Sequence, residues 1–339
     1  MGMEVSVILP VYNAEEYITE AIDSILRQTF SQYEICIIDD GSTDNSRQII
    51  EQYCKNNNRI KFVSRENRGL PVTLNELIEM SSGKYLARMD ADDKSLPTRL
   101  EKQFNFMEKN NNVAVVGCKS KVMGTEKYLF NTIYENSSVR AIRMMFGNNG
   151  VAHPSAMIRK AYLEKNGLEY REDAMGAEDY WLWSDIAKSG GEIVSLDEPL
   201  LEYRMHPNQI SSLMTDTQKE MNASIQLDQM QRYGDFDRHD LNILMDCYNY
   251  TFEYKVEDYI RVVQKLSSGN RAKGIYNEGL FDRELFNLLF SRGISLYRGG
   301  EKSVFKSCFI KDNMSIGNIC YCIKEIIRTA RTQKDYYKG

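Results

Sequence analysis

Proline is scarce in this 339-residue chain: there are six, and none follows Pro207. Histidine is scarcer, at three. No apolar run approaches the roughly 18 residues of a membrane span. The net charge of −5 gives no reason to expect a nucleic-acid partner, whose phosphates select basic surfaces. The seven cysteines lack paired metal-ligand spacing. Only one residue separates Cys320 from Cys322, and a helix would point them apart, so reduced thiols in a cytosolic protein are expected. No internal repeat of 20–50 residues is apparent. No G-x-G-x-x-G follows the first apolar run, which argues against a dinucleotide-dependent dehydrogenase. Met1 to Ser6 fits the loose acylation pattern at Gly2. The first strand is expected to start so soon after it that neither a free acylated arm nor a secretory leader is anticipated. At 42% hydrophobic and 27% charged residues, the composition is that of an ordinary soluble globular protein.

What is present is carboxylate, concentrated after apolar runs. Gly83 to Met89 leads like a buried strand into Asp90-Ala91-Asp92-Asp93. If the strand continues, alternation sends Asp90 and Asp92 out on one face, with Arg88 on that face and Asp93 on the other. Two carboxylates so close repel unless a cation lies beside them. A divalent ion carrying phosphates fits, because Mg²⁺ and Mn²⁺ take one or two protein carboxylates and complete their shell with substrate oxygens and water. A second acidic group, Asp39-Asp40-Gly41-Ser42-Thr43-Asp44, follows Glu34 to Ile38. The first run, Val5 to Leu9, ends in Pro10-Val11-Tyr12-Asn13. Open α/β sheets bind ligands beyond the carboxyl ends of their strands, and three such ends here are polar or acidic.

The first 118 residues alternate strand and helix with short joints, the pattern of βαβ units and a parallel sheet. Asn13 is expected to cap the first helix, with Glu16 reaching back. Further strands are expected at Ile60–Ser64, Val113–Cys118, His153–Ile158 and Ile193–Leu196. A hairpin is expected within 119–134, and helices at Val139–Phe146 and Glu178–Ser189. Beyond about 212 long helical periods dominate, at Met221–Tyr233, Leu241–Tyr254, Val256–Leu266 and Leu280–Tyr297. The expected organisation is an α/β unit over 1–211, with halves 1–118 and 119–211, and a helical region over 212–339.

Four strings, Ser6 to Asn13, Ile38 to Asp44, Glu66 to Leu70 and Met89 to Asp93, resemble in order and position the family-2 glycosyltransferases. The resemblance covers roughly residues 3–210. It implies the GT-A fold, a Rossmann-like, mostly parallel sheet flanked by helices. It also implies an inverting, metal-dependent transfer from a nucleotide-sugar donor, here a UDP-sugar, to a glycan or lipid-linked acceptor in surface-polysaccharide synthesis.

By that resemblance Asp40 accepts from the base imide, with Asp39 beside it. Pro10, Val11, Tyr12 and Asn67 line the nucleotide pocket, and Gly41 lets the chain turn closely there. Asp92 is the direct ligand of Mn²⁺ or Mg²⁺. Asp90 binds ribose or a metal-bound water, with Ala91 between them. His206, in Tyr203 to Pro207, completes the metal site, although a lone histidine is normally structural. Asp179, with Glu178 as its alternative, resembles the acceptor-side base that removes the hydroxyl proton. Acids are also favoured in any first helical turn. Trp181 and Trp183 either stack on a sugar or pack in the core. His153 is read as part of the acceptor-side wall, and His239 as surface. Ile316–Arg331 reads either as an interfacial helix on an anionic membrane or as a packed surface helix. Two rival readings are a sugar-nucleotide nucleotidyltransferase and a non-catalytic carbohydrate-binding protein on the same scaffold. The first would carry a Gly- and Arg-rich loop after the first strand. The second would have lost Asp92 or Asp179.

Overall fold

A computed structural model describes residues 3–129, 137–147, 151–174, 176–206, 216–249 and 253–298. They divide into two compact units, one of Met1–Ser137 with Asn149–Met221, the other of Ser138–Asn148 with Asn222–Gly339.

The first unit is built on a sheet that has nine strands among the described residues. β1 (Val5–Val11) and β2 (Tyr33–Asp40) are buried along their whole length. Both read as continuous apolar runs because helices cover both faces of a parallel sheet. β3 (Ile60–Arg65) and β4 (Tyr85–Arg88) flank them, and β3-β2-β1-β4 are parallel neighbours. The helices between them are α1 (Ile18–Leu26), α2 (Ser46–Asn56) and α3 (Leu70–Met80). α1 turns Ile18, Ala21, Ile22 and Ile25 inward, and each fully buried isoleucine contributes about 2 kcal/mol. Asn13 does not cap it. Its backbone is left-handed at φ 49°, and no side chain caps this helix. The side chain is used across the sheet end instead, where Asn13 Oδ1 accepts from Thr43 N at 2.8 Å.

Past β4 the order continues β8-β6-β9-β5, and the sheet becomes mixed. β5 (Lys94–Ser95) precedes α4 (Arg99–Lys109), and β6 (Val113–Val122) forms a hairpin with β7 (Tyr128–Leu129). The expected strand at His153–Ile158 is a 3₁₀ turn, His153–Ser155, followed by β8 (Met157–Arg159). That turn brings β8 in antiparallel to both β4 and β6. After α6 (Lys160–Asn166) and α7 (Glu178–Lys188), β9 (Glu192–Tyr203) runs parallel to β6 through register shifts that extend it to Tyr203.

The second unit takes in α5 (Ser137–Met144), α8 (Asp216–Gln231), α9 (Arg238–Asn249), α10 (Val256–Lys273) and α11 (Glu278–Arg298), α5 and α8 each beginning before its boundary. Its core joins Ile142, Met145 and Phe146 to Tyr233, Phe236, Leu244, Val262, Leu266, Phe281 and Phe286. A single cut at 211 therefore does not separate the units, because the apolar face around Ile142 is buried among the later helices. Among the described residues no helix is long and apolar enough to cross a membrane. The segment Ile316–Arg331 lies outside the described residues.

One buried charge anchors the lower end of the parallel strands. Glu34 accepts from Ser6 Oγ (2.7 Å) and Ser82 N (2.7 Å) and pairs with Lys61 Nζ at 2.8 Å. Burial works to raise the Glu34 carboxyl, but the bonds from Lys61, Ser6 and Ser82 prevail and bring it down to about 2. Glu34→Gln is expected to cost on the order of 2 kcal/mol at pH 7. The depressed value means that the stabilisation is complete above the unfolded value near 4.5 and disappears as pH falls toward 2. Urea melts of both proteins at pH 7 and pH 3 should show the gap narrowing; a constant gap would refute the assignment.

Candidate active site

Three loops at the carboxyl ends of β1, β2 and β4 meet the end of β9. The β1 and β2 loops are stitched together. Asn13 N donates to Ser42 Oγ at 2.9 Å, Glu15 N to Asp44 Oδ2 at 2.9 Å, and Asn45 N to Glu15 Oε2 at 2.9 Å. Pro10 pairs with Ile38 and Val11 with Asp39 in the parallel register. Val11 is buried, whereas Tyr12 is 54% exposed. Gly41 has φ +79°, and a Cβ there would stand 2.6 Å from Asn67 N, so only glycine lets the two loops approach.

Asp39 is a loop brace, accepting from Ser42 N at 3.1 Å and Ser64 Oγ at 2.8 Å. Asp40 accepts from Arg68 N at 2.8 Å and Gly69 N at 3.0 Å and is ion-paired with Arg65. A carboxylate offers about four lone-pair sites, so roughly one remains for a base. Asn67 Nδ2 donates to the Asp40 carbonyl at 2.8 Å, which fixes the rim of the same loop. Arg65 and Arg68, which also pair with Glu76, were given no role from the sequence; the available signal was that Arg68 lies within the Glu66 to Leu70 string and Arg65 immediately before it.

The tetrad converges differently from the expectation. β4 stops at Arg88, and residues 91–92 form a turn. Strand alternation therefore does not set the carboxylates, and Asp93 does not point away. Asp90, Asp92 and Asp93 bring carboxylate oxygens within 4.8 Å of one another. Ala91, half-buried, sits in the turn. Burial and the charges of Asp90 and Asp92 push the Asp93 carboxyl well up. Burial likewise raises Asp90, against the opposing pull of Arg88 and with a push from Asp92. Asp93 Oδ2 is buried with no hydrogen-bond partner. Three crowded acids with one orphaned buried oxygen have the chemistry that would fit a hard divalent cation.

The end of β9 closes this cluster. Arg204 N donates to Asp93 Oδ1 at 2.9 Å, and Arg204 Nε to the Asp92 carbonyl at 2.8 Å. The guanidinium also pairs with Glu20 at 2.6 Å and lies over the Tyr17 ring. His206 Nε2 lies 2.9 Å from Asp92 Oδ2 and its ring 5.0 Å from that of Tyr17. His206 thus reaches the tetrad as expected of it in sequence, and Arg204 was missed. Arg204 stood in the quoted Tyr203 to Pro207 string, but an arginine that braces through its backbone leaves no sequence signal.

On the far side, α7 opens with Glu178 and Asp179. Asp179 is partly exposed, and its Oδ1 accepts from Tyr180 N at 2.7 Å. Glu178 is buried and accepts from Gly176 N at 2.9 Å. Burial and the neighbouring Asp179 charge push its carboxyl up to about 7. His153 is buried, not a wall residue. Its Nε2 lies 2.8 Å from the Tyr170 hydroxyl and its Nδ1 3.9 Å from Glu178, and burial and Arg88 hold it well below its usual value, hence neutral. Neither tryptophan is an open platform. Trp183 is fully buried and donates to the Val151 carbonyl at 3.2 Å; Trp181 is nearly so, with the Arg171 guanidinium 3.8 Å from its ring centre. His239 is exposed, edge-on to Tyr254.

Open α/β sheets bind ligands beyond the carboxyl ends of their parallel strands, and here those ends gather acids. The sequence model for glycosyl transferase family 2 matches residues 6–167. A glycosyltransferase of uncharacterised specificity from Haemophilus influenzae is 35% identical over 241 residues, 68% of this chain and 74% of the relative. The putative teichuronic acid biosynthesis glycosyltransferase TuaG of Bacillus subtilis is 31% identical over 220 residues, 61% of this chain and 81% of TuaG. The chain belongs to glycosyltransferase family 2 and is a glycosyltransferase of GT-A fold. Among solved structures, residues 1–349 of S. aureus TarS in complex with UDP-GlcNAc superpose with a TM-score of 0.59 at 21% identity, covering 90% of this chain and 92% of that one.

The raised Glu178 carboxyl has a sign that can be checked. A folded value above the unfolded one favours folding below about 4.5, and that contribution is lost as pH rises through about 7. Glu178→Gln is therefore expected to raise Tm at pH 8 by several degrees and to change it little at pH 5; no pH dependence in the Tm difference would contradict the burial argument.

Proposed function

We propose that this glycosyltransferase moves a sugar, with inversion, from a UDP-sugar to a hydroxyl of a glycan or lipid-linked acceptor in surface-polysaccharide synthesis. The observation that carries the reading is the convergence of Asp90, Asp92 and Asp93 at a strand end next to the Asp40 loop. TuaG, named for teichuronic acid biosynthesis, and TarS, solved with UDP-GlcNAc, support the polysaccharide setting and the uridine donor.

Asp40, with its remaining acceptor site, orients the base, while Asp39, Asn67 and Gly41 hold the loop that presents it. The Pro10 to Tyr12 segment supplies the pocket wall, with Tyr12 as its exposed face. Asp92, with Asp90, Asp93 and His206, would hold Mn²⁺ or Mg²⁺, which supplies charge to a departing diphosphate. Asp179 is the base. The acceptor hydroxyl oxygen forms the new bond to the anomeric carbon, its proton passes to Asp179, and the bond to the diphosphate oxygen breaks with its electron pair. Attack on the face opposite the leaving group inverts the centre. Glu178 is buried behind the same helix start.

Two measurements separate binding from chemistry. In calorimetry, Mn²⁺ should tighten UDP binding by about tenfold or more, and Asp92→Asn should remove most of that gain. Equal affinity with Mn²⁺ and with chelator in the unmodified protein would sink the metal assignment. Asp179→Asn should bind UDP normally yet lose roughly 10²–10⁴-fold in turnover. Near-normal turnover would move the base role to Glu178.

A further inference from the structure

Arg65 is the last residue of β3 and stands beside Asp40, the last residue of β2, in the parallel register. Both side chains are sheltered from water, at 17% and 6% exposed. The Arg65 guanidinium is engaged at all of its nitrogens. Nη1 pairs with Asp40 Oδ1 and donates to the Glu66 carbonyl at 2.8 Å. Nη2 donates to Thr73 Oγ1 at 2.9 Å, and Nε to Glu76 Oε2 at 2.6 Å. Thr73 is fully buried on α3, and its hydroxyl in turn donates to the Gly69 carbonyl at 2.9 Å. The other Glu76 oxygen accepts from Arg68 Nη1 at 2.6 Å. One planar fork thus ties the end of β2 to the first two turns of α3, a span that arginine covers with donors in fixed directions.

The consequence falls on Asp40. Its Oδ1 accepts from Arg65 and from the Arg68 amide at 2.8 Å, which fills both lone pairs of that oxygen. Among the described residues its Oδ2 accepts only from Gly69 N, at 3.0 Å. The open acceptor site is therefore on Oδ2. A single fixed acceptor sorts bases by their ring nitrogen. Uracil N3 and guanine N1 carry a hydrogen to donate. Cytosine N3 and adenine N1 present a lone pair, which a carboxylate oxygen repels. The amino group beside that lone pair could be taken only by a second open acceptor or a turned carboxylate, and Arg65 denies both.

We propose that Arg65 is a positioning residue for donor-base selectivity: by filling Oδ1 and fixing the carboxylate plane of Asp40, it leaves one acceptor on Oδ2, which favours a base with a ring N–H over a base whose ring nitrogen is bare. The role rests on the reading of Asp40 as the contact to the donor's base.

The test is calorimetric binding of UDP, GDP, CDP and ADP, with Mn²⁺ present, to full-length wild type, Arg65→Met and Arg65→Lys. Wild type should bind UDP about tenfold or more tighter than CDP. Arg65→Met should lose most of that ratio, UDP weakening by about tenfold while CDP moves by less than about threefold. Arg65→Lys keeps the charge but cannot reach Asp40, Thr73 and Glu76 together. It should lose the selectivity as well, and it carries the comparison if Arg65→Met does not fold. Parallel weakening of UDP and CDP in the variants, or a ratio that stays at its wild-type value, would reduce Arg65 to a brace for α3 and overturn the proposal. A wild type that prefers GDP refutes the uridine donor yet supports the ring N–H rule, and the GDP-to-ADP ratio then replaces UDP-to-CDP in the variants. A wild type that prefers CDP or ADP, has no preference or binds no nucleotide refutes both.

Discussion

The repulsion among Asp90, Asp92 and Asp93 is the constraint around which the first unit is arranged. Three carboxylates within 4.8 Å, one of them buried, cannot all be ionised without a compensating charge. Much of the neighbouring structure is devoted to holding them together regardless. Arg88 pairs with Asp90, the Arg204 backbone reaches Asp93, and the Arg204 side chain secures the Asp92 carbonyl. These braces come from the end of β4 and the end of β9, which are separated by more than a hundred residues. The sheet order brings them together. The antiparallel entry of β8 between β4 and β6 opens the second half of the sheet, and the register shifts in β9 carry Tyr203 to the rim.

The same economy of charge holds at the start of α7. Glu178 and Asp179 are sequence neighbours at a helix start, but they differ in solvation. Glu178 is buried against His153 and has a carboxyl near 7, while Asp179 stays partly exposed. The two adjacent acids therefore sit in different surroundings, one desolvated and one in contact with water. His153 belongs to this arrangement because it is neutral and so brings no charge to the Glu178 carboxyl 3.9 Å away.

Most of the fold could be read in the sequence, since β1 and β2 are apolar runs ending in polar strings and α1 has clear helical spacing. The tetrad's importance was equally legible, because three acids after a buried strand have no place in a simple core. Its geometry was not. Alternation applies only while a strand lasts, and β4 ends two residues before Asp90. Asn13 had the chemistry of a helix cap but was drawn into the β2 loop by Ser42 and Thr43. The bracing role of Arg204 and the burial of His153 depend on contacts across 111 and 17 positions, and no local pattern encodes such pairings. Trp183 was left open between a sugar platform and the core by its sequence position, and its buried indole donating to the Val151 carbonyl places it in the core.

Residues 138–148 belong to the helical unit although they are flanked in sequence by strands of the sheet. During synthesis Ile142, Met145 and Phe146 emerge well before Phe281, Leu285 and Phe286, the partners with which they share a core. For the time it takes to translate that interval, their apolar face has nothing to bury against, and loop closure over so many residues cannot precede it. The nascent chain therefore carries an exposed apolar segment in its middle until the later helices emerge.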